Sequence, residues 1–475
     1  MQNEQIPTTT RQIPRRRKRT KMQIFKEAYL PTIILAVTIV LVLVFIIGGA
    51  VHQDSSEETR PPETTTTPPT VPSTADPNEE LLKEEAANII LRAEMLAGSY
   101  DYEGALAALD TFSGDESLFP AIGEARDRYN QIISNMVSWK ASDVPNLSFH
   151  VLIADPVRAF NDKTYASSYK KNFATVSEFA AILQQLYDNG YVLVDLDDFY
   201  TTTHNNSSGR DVYTEKELLL PAGKKPIMLT ETNANYYTYM VDPNEDGKPD
   251  AKGSGFASKL CYDGESFYNE LVNADGSIST GAFDMVPILE AFIENNPDFS
   301  YKGARAIIAF SGYDGVLGYR INSTKLKAAA LQEEREGAAA IVQALKDAGY
   351  KLACYTYNNI NYSSKDATAI ESDLKKWANE ITPWIGEIDI LVYAREADIG
   401  DETPYRDSSA RTKFNLLYNA GFRYFMGNGD APWNQVDEYY VRHNRINVTG
   451  TNLTKNADWF AGMFDASSIL DSDRP

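Results

Sequence analysis

From Leu147 onward the chain alternates short apolar runs with longer amphipathic ones, and this alternation restricts the fold more than any other feature. The strand-like runs are Ser148–Ala154, Tyr191–Leu196, Pro226–Thr230, Ala304–Phe310, Tyr350–Thr356, Ile388–Tyr393 and Phe422–Met426. Between most of them lie runs with helical spacing: Val176–Asp188, Met285–Glu294, Leu326–Ala348, Ser364–Ile381 and Ser409–Asn419. Apolar strands separated by helices imply a parallel sheet, and this many units predict closure into an α/β fold, a distorted (β/α) barrel of seven or eight parallel strands. Chemistry in a barrel sits at the C-terminal ends of its strands. The positions to inspect are therefore Asp155, Asp197, Glu231 to Asn235, Ser311 to Asp314, Tyr355 to Asn359, Ala394 to Asp398 and Gly427 to Asp430.

The segment ahead of the barrel has a different character. Ala28 to Val51 carries no charged side chain across 24 residues, enough to cross a bilayer core of about 30 Å. Residues 1–28 hold eight Arg/Lys against two Glu, a surplus of six. This basic flank predicts a single transmembrane helix with a cytoplasmic N-terminus and an extracellular main domain, a single-pass cell-membrane protein. A cleaved signal peptide is the alternative, but its apolar region would be unusually long. We expect a basic tail over residues 1–28, a transmembrane signal anchor over 29–51 and a Thr/Pro-rich stalk over 52–77. The stalk has too few large apolar residues to fold. A helical segment follows over 78–140 and the barrel over 147–465. Leu81, Leu82, Ala86, Ile89, Ile90, Ala93 and Leu96 recur at helical spacing, and Ala93–Leu109 reads as one tetratricopeptide-like hairpin. One such unit falls short of the roughly three repeats an independent array needs, so a helical spacer is the simpler expectation.

The net charge of −21 leaves −27 for everything after residue 28, which argues against nucleic-acid binding. The two cysteines, Cys261 and Cys354, match no zinc or redox spacing.

Several stretches carry a family resemblance. Phe149-His150-Val151-Leu152, Val176-Ser177-Glu178-Phe179, Asp188-Asn189-Gly190-Tyr191 and Leu220-Pro221-Ala222-Gly223-Lys224-Lys225-Pro226 resemble the opening of NodB-homology polysaccharide deacetylases. Gly315–Arg320 and Asp389–Gly400 look like a membrane-anchored bacterial branch of that family. The resemblance spans roughly residues 147–450. It implies a catalytic base, a metal aspartate and two metal histidines acting on an N-acetylated sugar.

Carried over by position, the base falls on Thr232, the metal aspartate on Asn233 and the histidines on Tyr355 and Asn359. A threonine hydroxyl cannot serve as a base near neutral pH. Deprotonating a tyrosine at pH 7 costs roughly 4 kcal/mol. Asparagine offers a neutral oxygen where a zinc-like ion prefers an imidazole or a carboxylate. Only His52, His150, His204 and His443 exist, so no H-x-x-x-H pair can be drawn. His443 falls near where the family places a late helper residue. The expectation is a catalytically inactive relative with no cofactor beyond one candidate calcium.

That calcium candidate is Asp242, Asn244, Asp246 and Asp250, in D-x-N-x-D-G order but with Gly253 where a bidentate glutamate belongs. Glu231, Glu396 and Asp398 fall at strand ends, where a carboxylate pair such as Glu231 with Asp398 would run acid/base glycosidase chemistry. Tyr236, Tyr319, Arg320, Tyr393 and Trp433 are the expected substrate-binding residues, with Tyr237, Tyr355 and Tyr357 as further rings. The leading function is binding of cell-wall polysaccharide or peptidoglycan. An active carbohydrate hydrolase, by atypical metal or by carboxylates, and a wall-associated scaffold acting through the helical segment are the alternatives.

Overall fold

A computed structural model describes residues 77–241 and 252–475. The expected tail, transmembrane span and stalk lie outside the described residues, as does the Asp242, Asn244, Asp246 and Asp250 loop. Among the described residues no helix is long and apolar enough to cross a membrane.

Seven strands close a parallel ring in chain order: β1 (Asn146–His150), β2 (Lys225–Thr232), β3 (Ile307–Phe310), β4 (Lys351–Cys354), β5 (Ile390–Val392), β6 (Tyr424–Gly429) and β7 (Tyr440–Asn447). Ile446 opposite Leu147 joins β7 back to β1. Side chains alternate across the wall, as strand geometry requires. Met228, Ile307, Ala353, Tyr355, Ile390 and Met426 fill the interior. Ile227, Leu229, Ile308, Leu352 and Leu391 pack outward with the helices.

Two departures from the sequence reading concern the ring. The Tyr191–Leu193 strand is not a stave of the barrel; it pairs with Lys225–Ile227, below the point where Thr230 and Glu231 of β2 meet β3, and otherwise makes a single bridge from Leu193 to Ser300. The seventh stave is instead β7, which no apolar run announced. Its Arg442, His443 and Arg445 read as loop by polarity, yet all three are buried. Each finds partners from neighbouring strands and loops that only the closed ring brings together.

The helices match the sequence reading more closely. α1 (Pro77–Gly98), α2 (Tyr102–Leu109) and α3 (Pro120–Ser134) lie under the N-terminal end of the barrel. Lys302, just ahead of β3, pairs with Asp101 at 3.0 Å, and the Tyr100 hydroxyl donates to the Asp298 carbonyl at 2.7 Å. Within the segment expected to be helical to residue 140, α3 stops at Ser134. Val137–Trp139 is extended and pairs with Leu218–Leu220.

Around the ring run α4 (Val176–Asp188), α5 (Met285–Asn295), α6 (Ala328–Ala348), α7 (Ala367–Lys376) and α8 (Arg411–Asn419). A capping box between Thr175 and Glu178 starts α4. Gly349 in the left-handed region ends α6. Glu178 is fully buried and takes both Nε and Nη2 of Arg474, at 2.5 and 2.6 Å, which ties residue 474 to the start of α4.

Candidate functional site

The loops leaving β1 to β5 converge at the C-terminal end of the barrel around a cavity of about 350 Å³. β1 contributes His150, β2 leads into Asn233 and Tyr237, β3 into Tyr313, β4 into Asn358 and Asn359, and β5 into Arg395. These loops hold unusual backbone. Eight of the ten non-glycine residues with positive φ among the described residues lie in them: Asn233, Tyr236, Asp314, Leu317, Thr356, Asn359, Arg395 and Glu396. Such conformations cost on the order of 1–3 kcal/mol each and persist where the surroundings over-determine them. Asn235 supplies part of that determination. Its buried amide nitrogen donates to the carbonyls of Ser311 and Gly315 at 2.8 and 2.6 Å, and its oxygen accepts from Ser311 N at 2.9 Å.

At the base of the cavity Thr232, Asn233 and Asn359 are joined in one hydrogen-bonded group, with His150 as the link to Thr232. His150 Nδ1 lies 2.7 Å from Thr232 Oγ1 and 3.3 Å from Asn233 Nδ2. Asn233 Oδ1 accepts from the Tyr237 hydroxyl at 2.8 Å and from Asn359 Nδ2 at 3.1 Å. Tyr237 in turn meets Ser311 Oγ at 3.0 Å. The fold thus brings Thr232, Asn233 and Asn359 together and adds His150. Tyr355 instead turns into the barrel interior and is buried. This donor set of one imidazole, two amides and hydroxyls does not fit a zinc-like ion. Among the described residues no three His, Cys, Asp or Glu side chains are grouped to hold a metal.

The charges here are cationic. Arg445, on the inward face of β7, is 1% exposed. Its Nη1 donates to Ser148 Oγ at 3.0 Å and its Nη2 to the Tyr393 carbonyl at 3.3 Å, while Nε has no partner. Burial, then the Arg445 and Arg395 guanidiniums, push His150 down to about 4, so its imidazole is neutral at physiological pH.

The carboxylates expected to form an acid/base pair do not share this cleft. Glu231 falls on the outward parity of β2 and is buried against Asp284, the N-cap of α5. Asp398 is held by Arg442 at 2.9 Å and by the Tyr405 hydroxyl at 2.5 Å, away from the cavity wall. Glu396 is exposed and accepts from Asn447 Nδ2 at 2.7 Å. His443 sits low in the barrel, its Nε2 3.2 Å from the Ala141 carbonyl, far from any helper position at the mouth.

The expected sugar-binding rings are likewise placed elsewhere. Tyr236 is buried, its oxygen accepting from Asn269, and Tyr393 is buried against the Tyr405 hydroxyl. Tyr319 packs against Gly337, with Lys259 Nζ 4.3 Å from its ring centroid. Arg320 ties the Asp314 and Tyr236 carbonyls at 2.7 and 2.5 Å. Trp433 lies under the Arg442 guanidinium at 4.9 Å. The expected Tyr237 does border the cavity, together with Tyr313, 53% exposed, and Tyr239, 38% exposed, with Tyr165 touching Tyr239 at 5.0 Å. Tyr237 lies 5.9 Å from both Tyr239 and Tyr313, so the rings form a continuous series. Sequence reasoning missed Tyr165, Tyr239 and Tyr313 because they sit in turns or, for Tyr239, in a single helical turn (Thr238–Val241), where nothing local indicates exposure.

Fold and site together define a seven-stranded (β/α) barrel with a tyrosine-bordered cavity at its mouth that no carboxylate lines among the described residues. No family model matches the chain, and no curated protein matches it. Among solved structures, the chain is similar to Streptococcus pyogenes deacetylase PplD in complex with acetate. The two share 11% identity at a TM-score of 0.31, over 67% of this chain and 95% of that one.

Proposed function

We propose that the barrel is a polysaccharide-deacetylase-like module that binds glycan without hydrolysing it. The uncharged 29–51 span would hold it outside the cell membrane, facing cell-wall polysaccharide or peptidoglycan. The observation that carries the reading is the mouth. A cavity within the usual range for small-ligand sites is bordered by exposed tyrosines, and beneath it Asn233 and Asn359 bond to each other while Thr232 and Asn233 both contact His150. Stacking on a sugar face uses the ring and needs neither metal nor base, so binding outlives the loss of catalysis. The dispersal of Glu231 and Asp398 removes the support for a carboxylate glycosidase.

The test uses the full-length protein in mild detergent. We expect no stoichiometric zinc, cobalt or nickel, no acetate released from chitooligosaccharide or peptidoglycan, and retention on wall glycan. Tightly held metal with metal-dependent acetate release would overturn the reading. Absence of retention on any glycan would favour a scaffold acting through α1 to α3.

A further inference from the structure

The charge of the cavity runs against the charge of the chain. In a protein of net −21, no aspartate or glutamate among the described residues lines the wall, and the one formally charged group among them is Arg395. Arg395 stands at φ 60° immediately after β5, and its Nε donates to the Asn359 carbonyl at 3.3 Å. That bond anchors the guanidinium at the rim and leaves Nη1 and Nη2 for another partner.

Arg445 carries the second charge. It is buried among neutral acceptors, with no carboxylate in ion-pair distance, and its Nε is unpartnered. The carboxylate whose charge acts on it is the exposed Glu396, joined to it through Asn447, which accepts from Arg445 Nη1 at 3.4 Å and donates to Glu396. Arg445 lies behind the cavity wall and acts on His150 within it, and a buried cation outside ion-pair reach of a carboxylate is costly, so an arriving anion would offset part of that cost.

We infer that the cavity takes an acidic sugar, a glycan unit bearing a carboxylate or phosphate whose oxyanion is received by the Arg395 guanidinium and balances Arg445. The inference rests on the glycan reading of the same cavity and narrows it to a substrate class. The neutral state of His150 accords with it, because a second oxyanion partner that titrated near pH 7 is not required. A longer chain has room to continue. Tyr239, Tyr313 and Asn358 also line an open groove of about 640 Å³, so cavity and groove share a wall. The acidic unit is therefore one residue of a polymer, with the tyrosines stacking on its neighbours.

Calorimetric titration of the full-length protein tests this with four probes: oligogalacturonate, its fully methyl-esterified form, a glycerol-phosphate oligomer and chitohexaose. The acid and its ester differ only at the carboxyl, where the ester is neutral and carries one methyl group more. Binding of oligogalacturonate or of the phosphate oligomer is expected to be at least about tenfold tighter than binding of the ester, roughly 1.4 kcal/mol. Which of the two binds identifies the source of the oxyanion. Arg395→Gln should abolish that preference and Arg395→Lys should restore part of it; both changes are at an exposed residue. Equal affinity for acid and ester with no phosphate binding would overturn the inference while leaving the glycan reading standing. A preference that survives Arg395→Gln would overturn it as well. If none of the four probes binds, the glycan reading falls with it.

Discussion

Replacing Glu231 by glutamine should make the protein less sensitive to alkali. Glu231 faces out of the barrel into the layer beneath α5, where it meets the carboxyl of Asp284; both are fully buried. Asp284 Oδ1 accepts from Leu152 N at 2.8 Å and Met285 N at 2.9 Å. Glu231 Oε1 and Asp284 Oδ2 find no donor. Two carboxyls so placed satisfy each other only if one keeps a proton. Burial, and then the Asp284 charge, accordingly raise Glu231 well above its ordinary 4.5.

The sign follows from linkage. Above pH 4.5 the unfolded chain releases this proton and the folded chain keeps it, so stability falls as pH rises until the folded pair titrates. One proton gives a limiting slope of about 1.4 kcal/mol per pH unit. In Glu231→Gln the amide N–H donates permanently to Asp284 and no proton is taken up. Other groups tilt the curve too. His150, lowered to about 4, adds stability that is complete above 6.5 and lost as pH falls. Subtracting mutant from wild type cancels those terms, because distant sites add. Urea unfolding of both proteins at pH 5, 6, 7 and 8 is the assay. The difference should grow in the mutant's favour with pH, by up to about 1.4 kcal/mol per unit. A flat difference across that range would refute the shared proton.

Two further outcomes test packing and the mouth. Tyr313→Ala should weaken retention by wall glycan by about 0.5–1.5 kcal/mol. Trp433→Ala, off the cavity under Arg442, should change retention by less than about 0.5 kcal/mol; pull-down isotherms compare the two. Arg474→Ala should destabilise the fold by about 3–5 kcal/mol because it strands the buried Glu178 carboxylate, a loss visible in thermal unfolding. Arg474→Ala unfolding at the wild-type temperature would show that the terminal clasp carries no stability.

The sequence by itself determined the barrel, because apolar strands alternating with amphipathic helices have few ways to bury both faces. It placed α4 at its observed bounds and six of the seven staves, and it showed that no histidine pair exists for a metal. It missed β7, whose Arg442, His443 and Arg445 look solvated until partners from distant strands surround them. It also placed Glu231 and Asp398 in one cleft, since strand ends converge but parity decides which side of the wall a carboxylate faces. Tertiary structure alone decided which rings border the mouth. Tyr236 and Tyr393 are as aromatic as Tyr239 and Tyr313, yet the first pair is buried and the second exposed. Exposure in a loop depends on what packs over it, and that packing comes from residues tens to hundreds of positions away.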